Sequence, residues 1–220
     1  MPHDEPRTAN RERRAANGDS RRLGVLISGR GSNLQALIDA VADGTLDAQI
    51  GVVISNKANV AGLDRARTTG IDTLVLDHRA FASRDEYDAE MARQLLARGV
   101  SLVCLAGFMR LIGTPLLEAF PNAILNVHPS LLPAFPGVDA QRQAFEHGVK
   151  VSGATVHLGT GELDGGPIVL QSAVPVRDDD TVELLSARIL IEEHRIYPEA
   201  VRFILDGRWR VEGRRFLVAG

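Results

Sequence analysis

Ala123-Ile124-Leu125-Asn126-Val127-His128-Pro129-Ser130-Leu131-Leu132-Pro133 is the stretch from which the fold is read. The apolar run Ala123 to Val127 predicts a buried strand, and Pro129 stops it. Side chains alternate along a strand, so Asn126 and His128 share one face at its very end. In parallel α/β sheets, ligands bind beyond that carboxyl edge. An amide and an imidazole placed there can hydrogen-bond a developing oxyanion and pass a proton near neutral pH. An Asn-His pair that merely closes a strand fits the same residues, and this stretch alone does not separate the two.

On its N-terminal side, short apolar runs alternate with helical patterns. Strands are predicted at Leu23 to Ser28, Gln49 to Ser55, Thr73 to Leu76 and Ser101 to Ala106. The first runs into Gly29-Arg30-Gly31-Ser32-Asn33 and a helix with Leu34, Leu37, Ile38 and Val41 on one face. Ser32 and Asn33 are candidate caps for that helix, and free N–H groups at its start suit a phosphate. A well-capped turn needs the same residues. The dinucleotide fingerprint is absent, because the third glycine and the acid after the second strand are missing. Ser83 and Glu86 predict a capping box for a helix to Arg98. Arg84 at that helix start opposes the helix dipole, so it is either a surface cation or an anion contact. Gly107-Phe108-Met109-Arg110-Leu111-Ile112 mixes apolar, flexible and cationic residues at a strand end. It suits a flat aromatic ligand with an acidic tail, or core packing beside one exposed cation.

Beyond Pro133 the order changes. A helix at Val138 to His147 precedes strands at Val151 to Leu158 and Ile168 to Val176, joined by the glycine-rich loop Gly159 to Gly166. A long amphipathic helix follows, with Asp180 and Glu183 at its start, and ends near Gly207. Two short strands, Arg208 to Val211 and Arg214 to Val218, close the chain. The fold class is therefore α/β, a mostly parallel doubly wound sheet with helices on both faces and a partly antiparallel C-terminal part. Residues 23–220 read as one domain, and residues 1–22, Arg-rich with no apolar face, as a disordered tail.

The chain's 220 residues, 45% hydrophobic and 24% charged, suffice for one well-buried α/β domain. A net charge of -3 gives no global pull toward nucleic acid. The one cysteine, Cys104, excludes a disulfide framework and suits a reducing compartment. No apolar run approaches the roughly 20 residues of a membrane helix. A cytoplasmic protein is expected. Metal-binding spacings and an acyl-serine elbow are both absent. What remains for chemistry is Asn126, His128 and Asp164, the acid of Leu163-Asp164-Gly165-Gly166. A carboxylate beside an imidazole favours the protonated ring, whereas Asp-Gly is also common turn chemistry. His147 and His157 read as structural, at a helix end and in a strand.

Six stretches, in order, resemble the phosphoribosylglycinamide formyltransferase family. They are Ile27 to Leu34, Ser55 to Lys57, Leu105 to Arg110, Asn126 to Pro133, Leu163 to Pro167 and Glu193 to Pro198. The resemblance spans about Leu23 to Gly207. It fails at Asp139 to Arg142, where some relatives carry histidines. It implies an enzyme of purine synthesis that moves a formyl group from the co-substrate 10-formyltetrahydrofolate to the amine of glycinamide ribonucleotide, without a metal. Gly31, Ser32 and Asn33 would hold the substrate phosphate, and Glu193 would contact the glycinamide end. Arg84, Met109, Arg110, Leu111, Ile112 and Asn126 would contact the folate. Asn126, His128 and Asp164 would form the catalytic set, with Asp164 keeping His128 charged beside the oxyanion. Relatives that hydrolyse the formyl group share that set.

Overall fold

Leu23, Val25, Leu26 and Ile27 expose none of their surface, so the strand they form is covered on both faces. That pattern belongs to the centre of a sheet sandwiched by helices. In the computed structural model, which describes residues 21–218, this strand is β1 (Arg22–Ile27). Residues 1–20, most of the expected tail, lie outside the described residues, and Arg22 already pairs within the sheet.

The other strands are β2 (Gln49–Ser55), β3 (Thr73–Val75), β4 (Leu102–Leu105), β5 (Ile124–His128), β6 (Val151–Leu158), β7 (Ile168–Pro175), β8 (Trp209–Glu212) and β9 (Arg215–Val218). Together they form one sheet in the order β3-β2-β1-β4-β5-β6-β7-β9-β8. The pairings from β3 to β5 are parallel; β5 with β6 and β6 with β7 are antiparallel. The mostly parallel sheet with an antiparallel C-terminal part is therefore as expected.

The helices are α1 (Ser32–Ala42), α2 (Ala61–Thr68), α3 (Arg84–Leu96), α4 (Thr114–Ala119), α5 (Ala140–His147) and α6 (Val182–Asp206). Leu34 and Leu37 of α1, Leu63 of α2 and Ile189 and Val201 of α6 fill one core with Val25 and Ile27. Tyr87, Met91 and Leu95 of α3 and Leu116 of α4 fill the other with Leu26. Alternation along β1 thus sends its side chains into two separate cores. The chain leaves β1 toward β2 and β3, and later builds β4 and β5 on the other side. The order of winding reverses between β1 and β4, where the carboxyl edge opens a crevice.

Two helix starts depart from the sequence expectation. The cap of α1 is Gly31 in the left-handed region at φ 70, with no side-chain cap. Ser32 and Asn33 therefore fall inside the first turn, and their backbone N–H groups are not closed off by side chains. At α6 the cap is Thr181, whose side chain accepts from Leu184 N–H. Asp180 is drawn away by Arg188, bonded through both carboxylate oxygens at 2.8 and 2.7 Å. The α3 box holds in part. Ser83 accepts from Glu86 N–H, while the Glu86 carboxylate reaches Ala82 N–H rather than Ser83.

One buried hydroxyl ties α6 to the strands that carry the site. Tyr197 Oη lies 3.0 Å from the Leu105 carbonyl and 3.2 Å from the Leu125 carbonyl. Replacing it by phenylalanine removes this donor without opening much space. Tyr197→Phe is expected to lower stability by about 1–3 kcal/mol. Urea unfolding should show a lower midpoint at an unchanged slope.

Candidate active site

Asn126 and His128 end β5 on the same face, as the alternation requires, and both meet Asp164. Asp164 sits in the left-handed region at φ 49, a backbone state that Asp tolerates better than most residues. That turn sends its carboxylate inward, leaving the side chain 8% exposed. Oδ2 accepts from Gly137 N–H at 2.7 Å and lies 3.3 Å from His128 Nδ1. Oδ1 accepts from Asn126 Nδ2 at 3.4 Å and lies 3.5 Å from His157 Nε2. These bonds favour the ionised form. The His157 and Gly137 contacts and the charge of His128 hold Asp164 below its usual carboxylate value, although burial, the largest single influence, pushes the other way.

The tautomer of His128 follows from its partners. Nε2 is 2.8 Å from the Phe135 carbonyl, which only accepts, so Nε2 carries the hydrogen. Nδ1 is then the nitrogen that gains or loses a proton, and it faces Asp164. Burial lowers the His128 pKa; the Phe135 bond and the Asp164 charge resist this, and burial wins. Burial thus works against the imidazolium, while a carbonyl on one ring nitrogen and a carboxylate on the other favour it. The sequence expectation is that Asp164 keeps this ring charged; the structure sets the carboxylate beside Nδ1 and adds burial as the opposing influence.

The loop after β5 is fixed by its polar groups. Ser130 Oγ donates to the Ala134 carbonyl at 2.6 Å, and Thr155 Oγ1 donates to the Ser130 carbonyl at 2.7 Å. This holds Phe135 where its carbonyl meets His128. His157, read from sequence as a strand histidine, belongs to the cluster. Antiparallel pairing sets it directly opposite Asn126. Its Nδ1–H donates to the Leu158 carbonyl at 2.9 Å, and its Nε2 lies between Asn126 Nδ2, at 3.1 Å, and Asp164 Oδ1, at 3.5 Å. Once β5 and β6 are paired, their register would have found it. Nothing within β6 alone does.

The segment after β4 lies beside this cluster. Met109 and Leu111 are 70% and 54% exposed, while Ile112 packs on the second core. The Arg110 guanidinium lies 5.4 Å from the Tyr87 ring centre. Among the described residues, its Nε is buried without a hydrogen-bond partner. Arg84 comes to the same place: a Cβ on Gly113 would be 3.4 Å from Arg84 Nε and 2.8 Å from Asp88 Oδ2. Asp88 is buried and accepts from Gly113 N–H. The charges of Arg84, one turn before Asp88, and of Arg110 both act on this carboxyl and oppose the effect of its burial.

A second polar group forms after β1. Asn33, one residue into α1, donates from Nδ2 to Glu193 Oε2 at 2.7 Å, joining the glycine loop to α6. Among the described residues, Asn33 Oδ1 is buried without a hydrogen-bond partner. Burial lifts the Glu193 pKa to about 7, against the Asn33 bond and the charge of Arg30. Among the described residues, no group of three His, Cys, Asp or Glu side chains is arranged to hold a metal ion. No described helix is long and apolar enough to cross a membrane.

Comparison with known proteins adds the following. A formyl transferase family model matches residues 21–201. Phosphoribosylglycinamide formyltransferase of Escherichia coli is 44% identical over 187 residues, 85% of this chain and 88% of that protein. The human trifunctional purine biosynthetic protein adenosine-3 is 48% identical over 84% of this chain, which spans only 18% of that protein's length. The crystal structure of glycinamide ribonucleotide transformylase 1 from Symbiobacterium toebii superposes with a TM-score of 0.90 at 58% identity, covering 92% of this chain and 96% of that one.

Glu193 gives a pH test of the second polar group. Its carboxyl titrates at 4.5 when unperturbed and at about 7 in the fold. The folded state holds that proton more tightly, so its stabilising contribution is complete below 4.5 and disappears as pH rises through about 7. Between pH 5 and 8, wild type should lose roughly 2–4 kcal/mol relative to Glu193→Gln, measured by urea unfolding of both proteins at each pH.

Proposed function

The chain belongs to the formyl transferase family, among the phosphoribosylglycinamide formyltransferases, and on that footing we propose that it carries a formyl group from 10-formyltetrahydrofolate to the amine of glycinamide ribonucleotide in purine synthesis. The observation that carries this reading is the meeting of Asn126 and His128 with Asp164, at 3.4 and 3.3 Å, together with the Gly31 loop at the start of α1, a phosphate-type loop that hydrolysis of the formyl group alone would not need. The Gly31 loop supplies the phosphate contacts at the end of β1, and Glu193 with Asn33 receives the glycinamide end. Arg84 and residues 109–112, at the end of the intervening strand β4, receive the folate. Their mixture of exposed apolar side chains and clustered cations fits a planar ring with a carboxylate tail. We assign the reaction to the cytoplasm, a reading that a free, buried Cys104 supports through the reducing conditions there.

The chemistry follows from the hydrogen positions. The substrate amine attacks the formyl carbon, and the carbonyl electron pair moves onto the formyl oxygen. His128 Nδ1 takes the proton released by the amine and becomes imidazolium, stabilised by Asp164. The oxyanion draws a hydrogen bond from Asn126 Nδ2, whose bond to Asp164 is long enough to yield, and is further stabilised by the positive charge of the ring. Such a donor contributes on the order of 3 kcal/mol to the transition state. The oxyanion then collapses, the bond to the folate nitrogen breaks, and His128 Nδ1 returns its proton to that nitrogen. The amine loses one proton and the folate nitrogen gains one, so the ring ends as it began. Asp164 moves no proton; its charge makes a buried imidazole able to accept one.

Separate assays of formate and of formylated ribonucleotide test the reaction class. Formylated product should account for the folate consumed, and formate release that is indifferent to glycinamide ribonucleotide would assign the chain to hydrolysis. Asp164→Asn tests the residue roles. The Asp164 charge raises the His128 pKa, so its removal lowers that pKa further and should move the low-pH limb of the single-turnover rate to lower pH. The plateau should fall by about 10²–10⁴, as for loss of a positioned acid–base group. An unshifted limb in Asp164→Asn would refute the coupling.

A further inference from the structure

The phosphate reading of the Gly31 loop leaves one question, namely what aims its N–H groups outward. Three successive carbonyls in this loop are tied down on the protein side. The Gly29 carbonyl accepts from Gly62 N–H at 3.1 Å, and the Gly31 carbonyl accepts from Gln35 N–H at 2.9 Å. Between them, the Arg30 carbonyl accepts from Arg65 Nε at 3.0 Å. In a planar trans peptide the C=O and the next N–H point in opposite directions. Fixing these carbonyls inward therefore turns the N–H groups of Arg30, Gly31 and Ser32 away from the protein, the arrangement that binds anions. Among the described residues, the N–H groups of Gly31, Ser32 and Asn33 meet no acceptor.

Two of the three anchors are backbone groups, and Arg65 is the side-chain one. Its place is set by close backbone contact between α2 and the loop. A Cβ on Gly31 would come within 2.6 Å of Gly62 Cα, and one on Gly62 within 3.0 Å of the Gly29 carbonyl oxygen. Only glycines allow α2 this near. Arg65 follows Gly62 by three residues, so it lies on the same helix face, over the loop. Its Nη1 also donates to Gln35 Oε1 at 3.1 Å, so one guanidinium bridges the loop to the first turn of α1.

On this footing, which rests on the phosphate reading above, we propose that Arg65 is a positioning residue for the ribonucleotide phosphate. It holds the Arg30–Gly31 peptide in the orientation that presents the Gly31 N–H to the ligand. Its effect falls on affinity for the phosphate-bearing substrate, not on the formyl-transfer step.

The test is steady-state kinetics of wild type, Arg65→Met and Arg65→Lys with glycinamide ribonucleotide and with the corresponding ribonucleoside, which lacks the phosphate. Arg65→Met should raise KM for the ribonucleotide about tenfold, the worth of one hydrogen bond, while kcat and the folate KM stay within about twofold. Arg65→Lys, which keeps a donor for the Arg30 carbonyl, should recover most of that loss. The ribonucleoside should react equally poorly with all three proteins. An unchanged ribonucleotide KM in Arg65→Met overturns the assignment, as does an equal loss with the ribonucleoside, or Arg65→Lys no better than Arg65→Met. Those outcomes leave the functional reading standing. Absence of ribonucleotide formylation by wild type removes that reading, and the Arg65 assignment with it.

Discussion

The Asp164 carboxylate joins three segments to its own loop: the end of β5, the loop at Gly137, and β6. It is held on both oxygens, at a backbone angle that few side chains adopt readily, with its charge largely removed from water. A charge in such a place requires partners, because burial alone would protonate it. The partners are the site. Asn126 donates to it, Gly137 N–H donates to it, and two imidazoles face it. Remove the charge and these groups lose the partner they share.

A consequence is that His128 is balanced between two opposed effects. Burial disfavours the imidazolium, and Asp164 favours it. A bare Nδ1 facing a carboxylate is poorly satisfied, so an arriving proton is welcome there, yet the buried ring does not hold one permanently. That is the condition for a group that accepts a proton from one nitrogen and gives it to another. The Phe135 carbonyl keeps the ring from turning over, and Ser130 and Thr155 keep that carbonyl in place. The glycine loop uses the same means without a charged centre. Its carbonyls are fixed on one side, so its donors face the other.

Much of this was readable in the chain. Period-two alternation placed Asn126 and His128 on one face, short buried runs gave the parallel strands, and Pro129 marked the carboxyl edge. The caps of α1 and α6 were harder, because several polar neighbours compete for one position and tertiary partners decide among them. Asp180 was lost to Arg188, and Asn33 to Glu193. His157 was missed for a similar reason. Its partner is set by antiparallel register with β5, which no window within β6 encodes. The opposing influences on His128 also needed coordinates, since a neighbouring acid can be inferred from motifs but burial of the ring cannot.

The central claim is that His128 carries its proton on Nε2, locked to the Phe135 carbonyl, and presents a bare Nδ1 to Asp164. Heteronuclear NMR of the free enzyme, with nitrogen-labelled histidines, reads this directly at neutral pH. The account predicts a neutral His128 ring with the hydrogen on Nε2 and an unprotonated Nδ1. A hydrogen on Nδ1 with Nε2 bare would mean that the ring donates to Asp164 at rest, and would contradict the proton path described above.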